Sequence, residues 1–385
     1  MFRTVELFLD PIDIFDKIGE RKSELSNKEL GFICGLIRMF KPKKIVEVGV
    51  SAGGTTAVIL NCLNKLNIYT NVYSVDLAYT YHYDITKECG FQIKDALKIL
   101  KRTANHELIL GKTIAQVLPE ICENEDEKID MLILDTIHYL PGELLDFIVC
   151  LPYLSQNAIV VLDDLTFAHF GENREALATK ILFDTVVAEK YVPYINEYPK
   201  MAAFKLNADT KKYSMNLFSA LVTPWGYEMP VESIVPYTNL ISRHYSHSEQ
   251  NIFTEAYRIN QESLHKLNNI SDDIKNILEI CESGKKTVIY GAGSRGRALY
   301  DFLSDRGKYI YGFVVSDDRK QSNIDDKGRR VFSLSNIKET EEDYCVILAA
   351  ADEEIRNNLY REKITFYEAP NYIFPFIKNY VRYIL

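Results

Sequence analysis

The segment Lys44–Thr56, KIVEVGVSAGGTT, joins an apolar run to a glycine-rich turn and is followed by the helix-like stretch AVILNCLNKL. Its β-branched residues are typical of a strand buried on both faces of a parallel sheet. Gly49, Gly53 and Gly54 allow a tight turn in which a ligand can lie against the first backbone amides of the next helix. Glu47 argues against a phosphate ligand, because its carboxylate repels phosphate and accepts hydrogen bonds from a cationic amine. The segment therefore predicts a strand, a turn and a helix around a ligand that carries an amine.

Length and composition set the broad class of the protein. The chain has 385 residues, 47% of them hydrophobic, which is enough for an ample core and favours two domains over one. Its net charge of -9 argues against nucleic acid as the main partner. Seven cysteines without a Cys-x-x-Cys pair fit buried thiols in a reducing compartment. The amino terminus is not a signal peptide and no run approaches the ~20 apolar residues of a membrane span, so we expect a cytoplasmic protein.

Candidate cofactor-binding residues lie at the ends of the next two predicted strands. The strand NVYSVDL ends at Asp76, where doubly wound folds hydrogen-bond the ribose of a nucleotide cofactor, although an acid at this point can also simply cap a helix. Gly111 follows the strand HELILG and by position would lie at the adenine edge of the cofactor. The loop after Asp76 either flanks a ligand or forms an amphipathic surface, and its aromatic residues are Tyr79, Tyr81, His82 and Tyr83.

Carboxylates also end the strands MLILD and AIVVLDD, which are separated by a helix of crossover length. Because parallel strands end at one edge of the sheet, Asp135, Asp163 and Asp164 should converge beside the cofactor. Three crowded carboxylates repel one another unless a hard cation lies among them, and oxygen ligands suit Mg²⁺, Mn²⁺ or Ca²⁺. The alternative is that the acidic pair caps the next helix and that His138 is a buried imidazole with its hydrogen bonds satisfied.

These stretches, VEVGVSAGGTT, GKTIAQVLP, LILDTIHYL and VVLDD, resemble class I S-adenosylmethionine-dependent methyltransferases. The resemblance is to the metal-dependent O-methyltransferases related to the macrocin and mycinamicin sugar enzymes, and it covers about residues 43–164. It implies a Rossmann-like α/β sheet. It implies that S-adenosylmethionine is bound by Glu47, Gly49, Ser51, Gly53, Asp76, Gly111 and Asp135, and that Mg²⁺ or Mn²⁺ is bound by Asp135, Asp163 and Asp164.

The resemblance also implies a mechanism. Sugar methyltransferases of this group carry a histidine three residues after the first metal ligand, and here that residue is His138, which would act as general base if it is neutral near pH 7. The metal would lower the pKa of a sugar hydroxyl and align that hydroxyl with the sulfonium methyl group. Asp135, as a metal ligand, would be a catalytic residue together with His138. The typical Asp-Gly-Asp-His becomes Asp-Thr-Ile-His, so a second acid that serves as base in some relatives is absent. The expected acceptor is a sugar or nucleotide-linked sugar of surface polysaccharide synthesis.

The remainder of the predicted catalytic domain, residues 1–208, contains an amphipathic helix over 172–190 and a late strand in KMAAFKLN. Residues 209–284 are predicted to form an aromatic lid and a helical connector. This region holds Trp225, and its aromatic residues either stack on a sugar or pack one domain on another. His169 either faces the acceptor or caps a loop.

Residues 285–385 are predicted to form a second, smaller Rossmann-like α/β domain that begins with KTVIYGAGSRGRALYDFL. Gly291, Gly293 and Gly296 form a Gly-x-Gly-x-x-Gly turn, and Arg295 and Arg297 beside it would suit a pyrophosphate. The stretch resembles the small domain at the amino end of bacterial sugar acetyltransferases, which can hold a nucleotide-sugar. NAD binding and a purely structural role are the alternatives.

Two other functions remain open for the whole chain. One is an NAD-dependent oxidoreductase that acts through the carboxy-terminal glycines, and the other is a non-catalytic binding protein of a glycan pathway. We expect a small-molecule acceptor, no nucleic acid and no membrane span, and a homo-oligomer is possible.

Overall fold

A computed structural model describes residues 2–100, 104–122, 128–169, 174–195, 198–339, 343–349, 353–371, 373, 374 and 377. The chain divides into two compact units, Met1–Leu264 and His265–Leu385. Both units are α/β, with a large mixed sheet in the first and a parallel sheet in the second. This confirms the predicted fold class.

The first unit contains strands β1 to β10 and helices α1 to α10, and the unit boundary falls within α11. The strands are β1 (Arg3–Val5), β2 (Lys44–Val48), β3 (Thr70–Asp76), β4 (Thr80–Tyr81), β5 (Asp84–Glu88), β6 (Ala104–Leu110), β7 (Ile129–Leu134), β8 (Leu154–Leu162), β9 (Glu189–Pro193) and β10 (Ala202–Lys205). The helices are α1 (Ile14–Ile18), α2 (Asn27–Phe40), α3 (Gly54–Leu66), α4 (Phe91–Ile99), α5 (Ile114–Ile121), α6 (Gly142–Cys150), α7 (Ala178–Thr185), α8 (Ala208–Lys212), α9 (Met215–Ala220), α10 (Val231–His244) and α11 (His247–Cys281).

The described residues of the first unit form an eight-stranded sheet with the order β1-β9-β10-β8-β7-β2-β3-β6. Strands β2, β3, β6, β7 and β8 pair in parallel, so their carboxyl ends share one edge of the sheet. Strand β10 runs antiparallel to both β8 and β9. The residues that precede β10 therefore lie at the same edge as the carboxyl end of β8.

Apolar side chains cover both faces of this sheet because neighbouring strand residues point to opposite sides. Val46 and Leu132 pack into the core beneath α5 and α6, whereas Ile45 and Met131 pack into the core beneath α2 and α3. Burial on both faces explains the continuous apolar runs of β2 and β7. Helix α10 packs against α5 and α6, which brings the segment after residue 226 close to the edge where the parallel strands end.

One secondary-structure prediction was wrong. The stretch 172–190 is not a single helix, because α7 covers only Ala178–Thr185 and residue 189 begins β9. Val186 is already extended, and β9 is held by pairing with β1 and β10. Long-range pairing therefore overrode a helical pattern of apolar residues. Residues 172 and 173 lie outside the described residues.

The second unit has strands β11 (Lys286–Tyr290), β12 (Gly312–Val315), β13 (Val331–Ser333), β14 (Tyr344–Leu348) and β15 (Phe366–Glu368). Its helices, apart from the end of α11, are α12 (Ser294–Asp305), α13 (Leu334–Lys338) and α14 (Glu353–Arg361). The strands form a parallel sheet with the order β13-β12-β11-β14-β15 in the described residues. The Gly-x-Gly-x-x-Gly turn follows the central strand β11, as expected for a doubly wound sheet. Within the described part of the chain, no helix combines the length and apolar character needed to cross a membrane.

Candidate functional site

A cavity of about 640 Å³ lies at the edge where the parallel strands of the first unit end. The predicted site residues that line it are Gly49, Ser51, Asp76, Asp135, His138, Asp163 and Asp164. Glu47, Gly53 and Gly111 are not among its lining residues. The strand ends therefore bring most of the predicted residues together in one cavity.

Gly49 allows the first turn to approach the end of β7. Its φ is +91°, and a Cβ built there would lie 1.7 Å from the carbonyl oxygen of Asp135. The Gly49 amide donates to the carbonyl of Val75 at 2.9 Å, and the Asp135 amide donates to the carbonyl of Val48 at 3.0 Å. These bonds hold the turn and the first acid of the cluster side by side.

Asp76 organises the same turn. Its Oδ2 accepts from the amides of Val50 at 2.8 Å and Ser51 at 3.1 Å, and its Oδ1 accepts from the amide of Ala78 at 2.8 Å. The carboxylate is thus fixed at the cavity wall by three backbone donors. This position is compatible with the predicted contact to a ribose, and it also gives Asp76 a role in the shape of the turn.

Glu47 lies beneath the turn rather than in the cavity. Its carboxylate is fully buried and accepts from the hydroxyls of Thr56 and Ser74, the latter at 3.0 Å. Burial raises the pKa of Glu47 to about 7, although the two hydroxyl hydrogen bonds oppose this shift. Glu47 thus supports α3 and β3 from beneath the turn, and its predicted contact with a cofactor amine stays a prediction.

Gly53 and Gly111 also act through packing. Both have a positive φ, +86° and +72°. A Cβ at Gly53 would lie 2.6 Å from the side chain of Ile93, and one at Gly111 would lie 2.0 Å from the hydroxyl of Tyr79. Each glycine lets a neighbouring side chain approach the backbone beside the cavity.

The acids at the strand ends surround His138. Its Nε2 lies 3.2 Å from Oδ2 of Asp164 and 3.7 Å from Oδ1 of Asp135. His138 and Asp164 both have positive φ values, +62° and +55°, which is rare for residues other than glycine. Backbone strain of this kind is concentrated at functional sites.

Glu143 in α6 contacts the Nδ1 side of the His138 ring, and the sequence analysis did not predict it. Its Oε1 lies 3.1 Å from Nδ1 of His138 and accepts from the His138 amide at 2.9 Å. The same oxygen accepts from the Thr136 hydroxyl at 2.9 Å. An acid in the first turn of the helix after a histidine loop is a weak signal by itself, because acids are common at this position in helices.

The pKa of His138 bears on the predicted role as general base, which requires a neutral imidazole. Burial alone would lower this pKa, but Asp164 and Glu143 outweigh it and raise the pKa to about 10. Burial raises the pKa of Asp135 to about 7, a shift that His138 opposes and the charge of Asp164 reinforces. In the absence of any bound group, the histidine is therefore a cation near neutral pH.

Lys200 is a second cation at the cluster and was also missed. Its Nζ lies 2.8 Å from Oδ1 of Asp164, 3.9 Å from Oδ2 of Asp163 and 3.6 Å from Oε1 of Glu29 in α2. The backbone carbonyl of Lys200 accepts from the amide of Leu165 at 2.8 Å. The available signal was its position as the first residue of the predicted late strand, but using it required knowing that β10 runs antiparallel.

The predicted metal site was tested against the same residues. In the described part of the chain, no three His, Cys, Asp or Glu side chains are already arranged around one metal position. Asp163 is nevertheless buried, and its Oδ1 has no hydrogen-bond partner within the described residues. Burial and the neighbouring acids raise the pKa of Asp163. An unpartnered buried oxygen among carboxylates fits a hard cation, so Mg²⁺ or Mn²⁺ binding stays a prediction.

The opposite wall of the cavity comes from the region that was predicted to be an aromatic lid. Its lining residues include Tyr227, Met229, Ser233 and Tyr237. The Tyr237 hydroxyl donates to Oδ1 of Asp146 in α6 at 2.7 Å. Burial raises the pKa of Asp146 to about 7.

Other aromatic residues of the sequence analysis lie elsewhere. Trp225 is buried, and its indole N–H donates to the carbonyl of Leu221 at 2.9 Å, so it packs in the core. In the β4–β5 hairpin, Thr80 and His82 line the cavity, while Tyr79 and Tyr83 are exposed. His169 ends a short 3-10 turn, and its amide donates to the carbonyl of Thr166.

The arginines beside the second glycine turn already have partners. Arg295 donates to Oδ1 of Asn371 at 2.6 Å. Arg297 donates to the carbonyl of Ala292 at 2.8 Å and to both carboxylate oxygens of Asp326 at 3.0 and 3.1 Å. Asp317, after β12, accepts from the amide and hydroxyl of Ser335 in the first turn of α13. These side chains stabilise their own unit, and their predicted role toward a pyrophosphate stays a prediction.

Comparison with known families agrees with the geometry of the first unit. Residues 46–165 match the family model described as a methyltransferase domain. The matched segment runs from β2 through the acidic pair after β8, so it includes the glycine turn and the acid cluster. The predicted enzyme class, a methyltransferase, is confirmed at this level. Residues 283–368 of the second unit match a model described as C2185-like, N-terminal.

Comparison with solved structures gives weaker likenesses. An O-methyltransferase of tomaymycin synthesis from Streptomyces achromogenes, solved with S-adenosylmethionine, is 12% identical, with a TM-score of 0.35 over 52% of this chain and 88% of its own. An O-methyltransferase from Bacillus cereus is 13% identical, with a TM-score of 0.35 over 51% of this chain and 89% of its own. A TDP-rhamnose 3'-O-methyltransferase of calicheamicin biosynthesis is 15% identical, with a TM-score of 0.33 over 45% and 76%. A comparison with curated protein sequences gives no match.

Proposed function

We propose that this protein is an S-adenosylmethionine-dependent O-methyltransferase that methylates a hydroxyl of a sugar or nucleotide-linked sugar. The observation that carries the proposal is one cavity in which the glycine turn and the cluster of Asp135, His138, Asp163 and Asp164 meet. A methyl donor needs the first feature, and activation of a hydroxyl needs the second. The methyltransferase-domain match covers both features.

The turn and the strand ends supply a binding site of the right chemistry for the donor. The backbone at Gly49 to Ser51 lines the cavity, and the carboxylate of Asp76 stands beside it to accept hydrogen bonds from a ribose. Thr113 and Ile114, which follow β6, would lie at the adenine edge. Asp135 lies against Gly49, so the sulfonium end of the donor would face the acid cluster, where negative charge favours it.

Asp135, Asp163 and Asp164 are the residues that would hold a divalent cation. Such a cation would lower the pKa of the acceptor hydroxyl and fix its position. Glu143 holds the ring of His138 so that Nε2 points toward Asp164 and Asp135. His138 would accept the proton of the hydroxyl through Nε2 after its own proton has passed to solvent. The protonated state described above is that of the protein without a bound group, and Glu143 already orients the ring for the transfer.

Methyl transfer from radiolabelled S-adenosylmethionine tests this function directly. The purified protein, with Mg²⁺ or Mn²⁺ supplied, should label one class among nucleotide-sugars and related phosphoesters. Calorimetry should show binding of S-adenosylmethionine and S-adenosylhomocysteine to the full chain. Binding of NAD in place of both would instead favour the oxidoreductase alternative.

For the second unit we propose nucleotide-sugar binding at the turn of Gly291, Gly293 and Gly296. Support comes from the parallel sheet and from the position of this turn after its central strand. The competing role is structural, because Arg295 and Arg297 are already engaged by Asn371 and Asp326. A UDP-sugar titration that leaves the turn residues unperturbed in NMR spectra would favour the structural role.

A further inference from the structure

Lys200 contacts three carboxylates that belong to two separate parts of the fold. Glu29 lies in α2, and Asp163 and Asp164 follow β8, whereas Lys200 precedes β10. Its ammonium lies within 3.9 Å of all three carboxylates, and the shortest distance, 2.8 Å, is to Asp164. The antiparallel direction of β10 places this cation at the same sheet edge as the predicted metal ligands.

The burial of these acids explains why they need a cation. Asp163 is 3% exposed, and Asp164 and Glu29 are 8% exposed. A buried carboxylate without a compensating charge is costly. In the described part of the chain, the cations that contact these acids are Lys200 and His138. Lys200 therefore supplies part of the charge that the sequence analysis assigned to a metal ion.

We propose that Lys200 is an internal counter-ion that competes with a divalent cation for Asp163 and Asp164, and so sets the metal affinity of the site. The inference rests on the metal-binding part of the proposed function. Oδ1 of Asp164 is in contact with the ammonium, so a cation that takes this oxygen displaces Lys200. The displacement is feasible because the Lys200 side chain is 38% exposed on a flexible four-carbon stem and lines the cavity.

The binding of Mn²⁺ alone to the full chain tests the proposal. Free Mn²⁺ is counted by electron paramagnetic resonance for the wild type, for Lys200→Met and for Lys205→Met. The control lysine is the last residue of β10, at the end of the strand away from Lys200, and it does not line the cavity. Removal of one positive charge next to the acids should tighten Mn²⁺ binding at least ~10-fold in Lys200→Met. Lys205→Met should bind Mn²⁺ like the wild type.

A second measurement uses the wild-type protein only. Reductive methylation followed by mass spectrometry should show that Lys200 reacts faster when Mn²⁺ is present, because the ion releases the ammonium from Asp164. Lys205 serves as the internal reference, and its rate should not change. Equal Mn²⁺ affinities in wild type and Lys200→Met, or slower labelling of Lys200 with Mn²⁺, would overturn the proposal.

Binding of S-adenosylhomocysteine, measured on the same samples, separates this inference from the proposed function. If S-adenosylhomocysteine binds and no form of the protein binds Mn²⁺, Lys200 does not compete with a cation. The metal-binding part of the proposed function then fails as well. Methyl transfer would then remain as a metal-independent reaction. If Mn²⁺ binds to the wild type and Lys200→Met binds it no better, only the competition fails.

Discussion

The turn after β2 and the turn after β11 occupy the same place in their respective sheets. In each, the amide of the first glycine donates to the neighbouring parallel strand, Gly49 to Val75 at 2.9 Å and Gly291 to Val314 at 2.8 Å. On the other side, the amide of the residue after the neighbouring strand donates to the last residue of the central strand, Asp135 to Val48 and Ala349 to Tyr290, both at 3.0 Å. The backbone pattern is therefore shared between the two turns.

The side chains around the two turns differ. The first turn lines a cavity whose titratable side chains include Asp135, His138, Asp163 and Asp164. Beside the second turn, the charged side chain of Arg297 is paired within its own unit to Asp326. Glu47 lies two residues before the first glycine of the first turn, and the buried Ile289 takes the same position before the second turn. Glycine spacing thus determines the backbone of the turn, while residues from distant parts of the chain determine its chemistry.

The largest expected effect comes from a tightly packed glycine of the first turn, compared with a glycine of the second turn that has free space around it. Gly49→Ala should lower the free energy of unfolding by more than about 4 kcal/mol, because the new Cβ would lie 1.7 Å from a backbone carbonyl at a positive φ. Gly293→Ala should cost less than about 1 kcal/mol, since nothing lies within 4 Å of its Cβ. Chemical denaturation of both variants measures the difference. Equal losses would show that the close approach of Gly49 to Asp135 does not constrain the first turn as described.

A matched pair of acid substitutions tests which turn serves catalysis. Asp135→Asn should lower kcat/KM for methyl transfer by about 10³-fold, because it removes an acid from the reacting cluster and changes the charge around His138. Asp317→Asn, at a strand end of the second unit, should leave kcat/KM within about twofold. Initial rates with labelled S-adenosylmethionine give both values. A large loss in the second variant alone would move the catalytic site to the other unit.

The buried acid beneath the first turn should make stability depend on pH. The pKa of Glu47 is raised from 4.5 to about 7 in the folded protein, so the folded state holds this proton more tightly than the unfolded state. The contribution of Glu47 to stability therefore falls as the pH rises from about 4.5 to about 7, and it is constant above that range. Glu47→Gln resembles the protonated form, and its amide oxygen can still accept from Thr56 and Ser74.

The variant should accordingly be more stable than the wild type at pH 8 by up to about 3 kcal/mol, and equal to it at pH 4. Urea denaturation at the two pH values gives the comparison. Ile289 offers no titratable group at the matching position, so Ile289→Val should lower stability by the same amount at both pH values. A pH-independent difference between Glu47→Gln and the wild type would contradict the raised pKa.

Much of the fold followed from local patterns, and the remainder depended on long-range contacts. The β-branched runs predicted β2 and β7, and the alternation of strands and helices predicted that Asp135 and Asp164 end neighbouring strands. The predicted helix over 172–190 failed because β9 is stabilised by its partners β1 and β10.

The contacts that balance the charges of the site were the hardest part of the structure to predict from the sequence. Lys200 lies 36 residues after Asp164 in the numbering, and only the direction of β10 brings them together. Glu143 contacts His138 because the loop between them turns back on itself, with His138 at a positive φ. Spacing alone does not reveal either contact. A pattern of acids could therefore predict where a cation is needed, but it could not show that the chain supplies two of its own.

The smallest expected effect concerns the arginine of the second turn. The Arg297 and Asp326 side chains are 43% and 64% exposed, so their ion pair should contribute less than about 1 kcal/mol to stability. Arg297→Ala should leave methyl transfer unchanged and lower the thermal midpoint only slightly.

If this turn binds a nucleotide-sugar, however, Arg297 must leave Asp326 to reach a pyrophosphate. Asp326→Ala should then tighten UDP-glucose binding in calorimetry, while Arg297→Ala weakens it. Identical UDP-glucose affinities in the two variants and the wild type would leave the second turn as a structural feature, in contrast to the first.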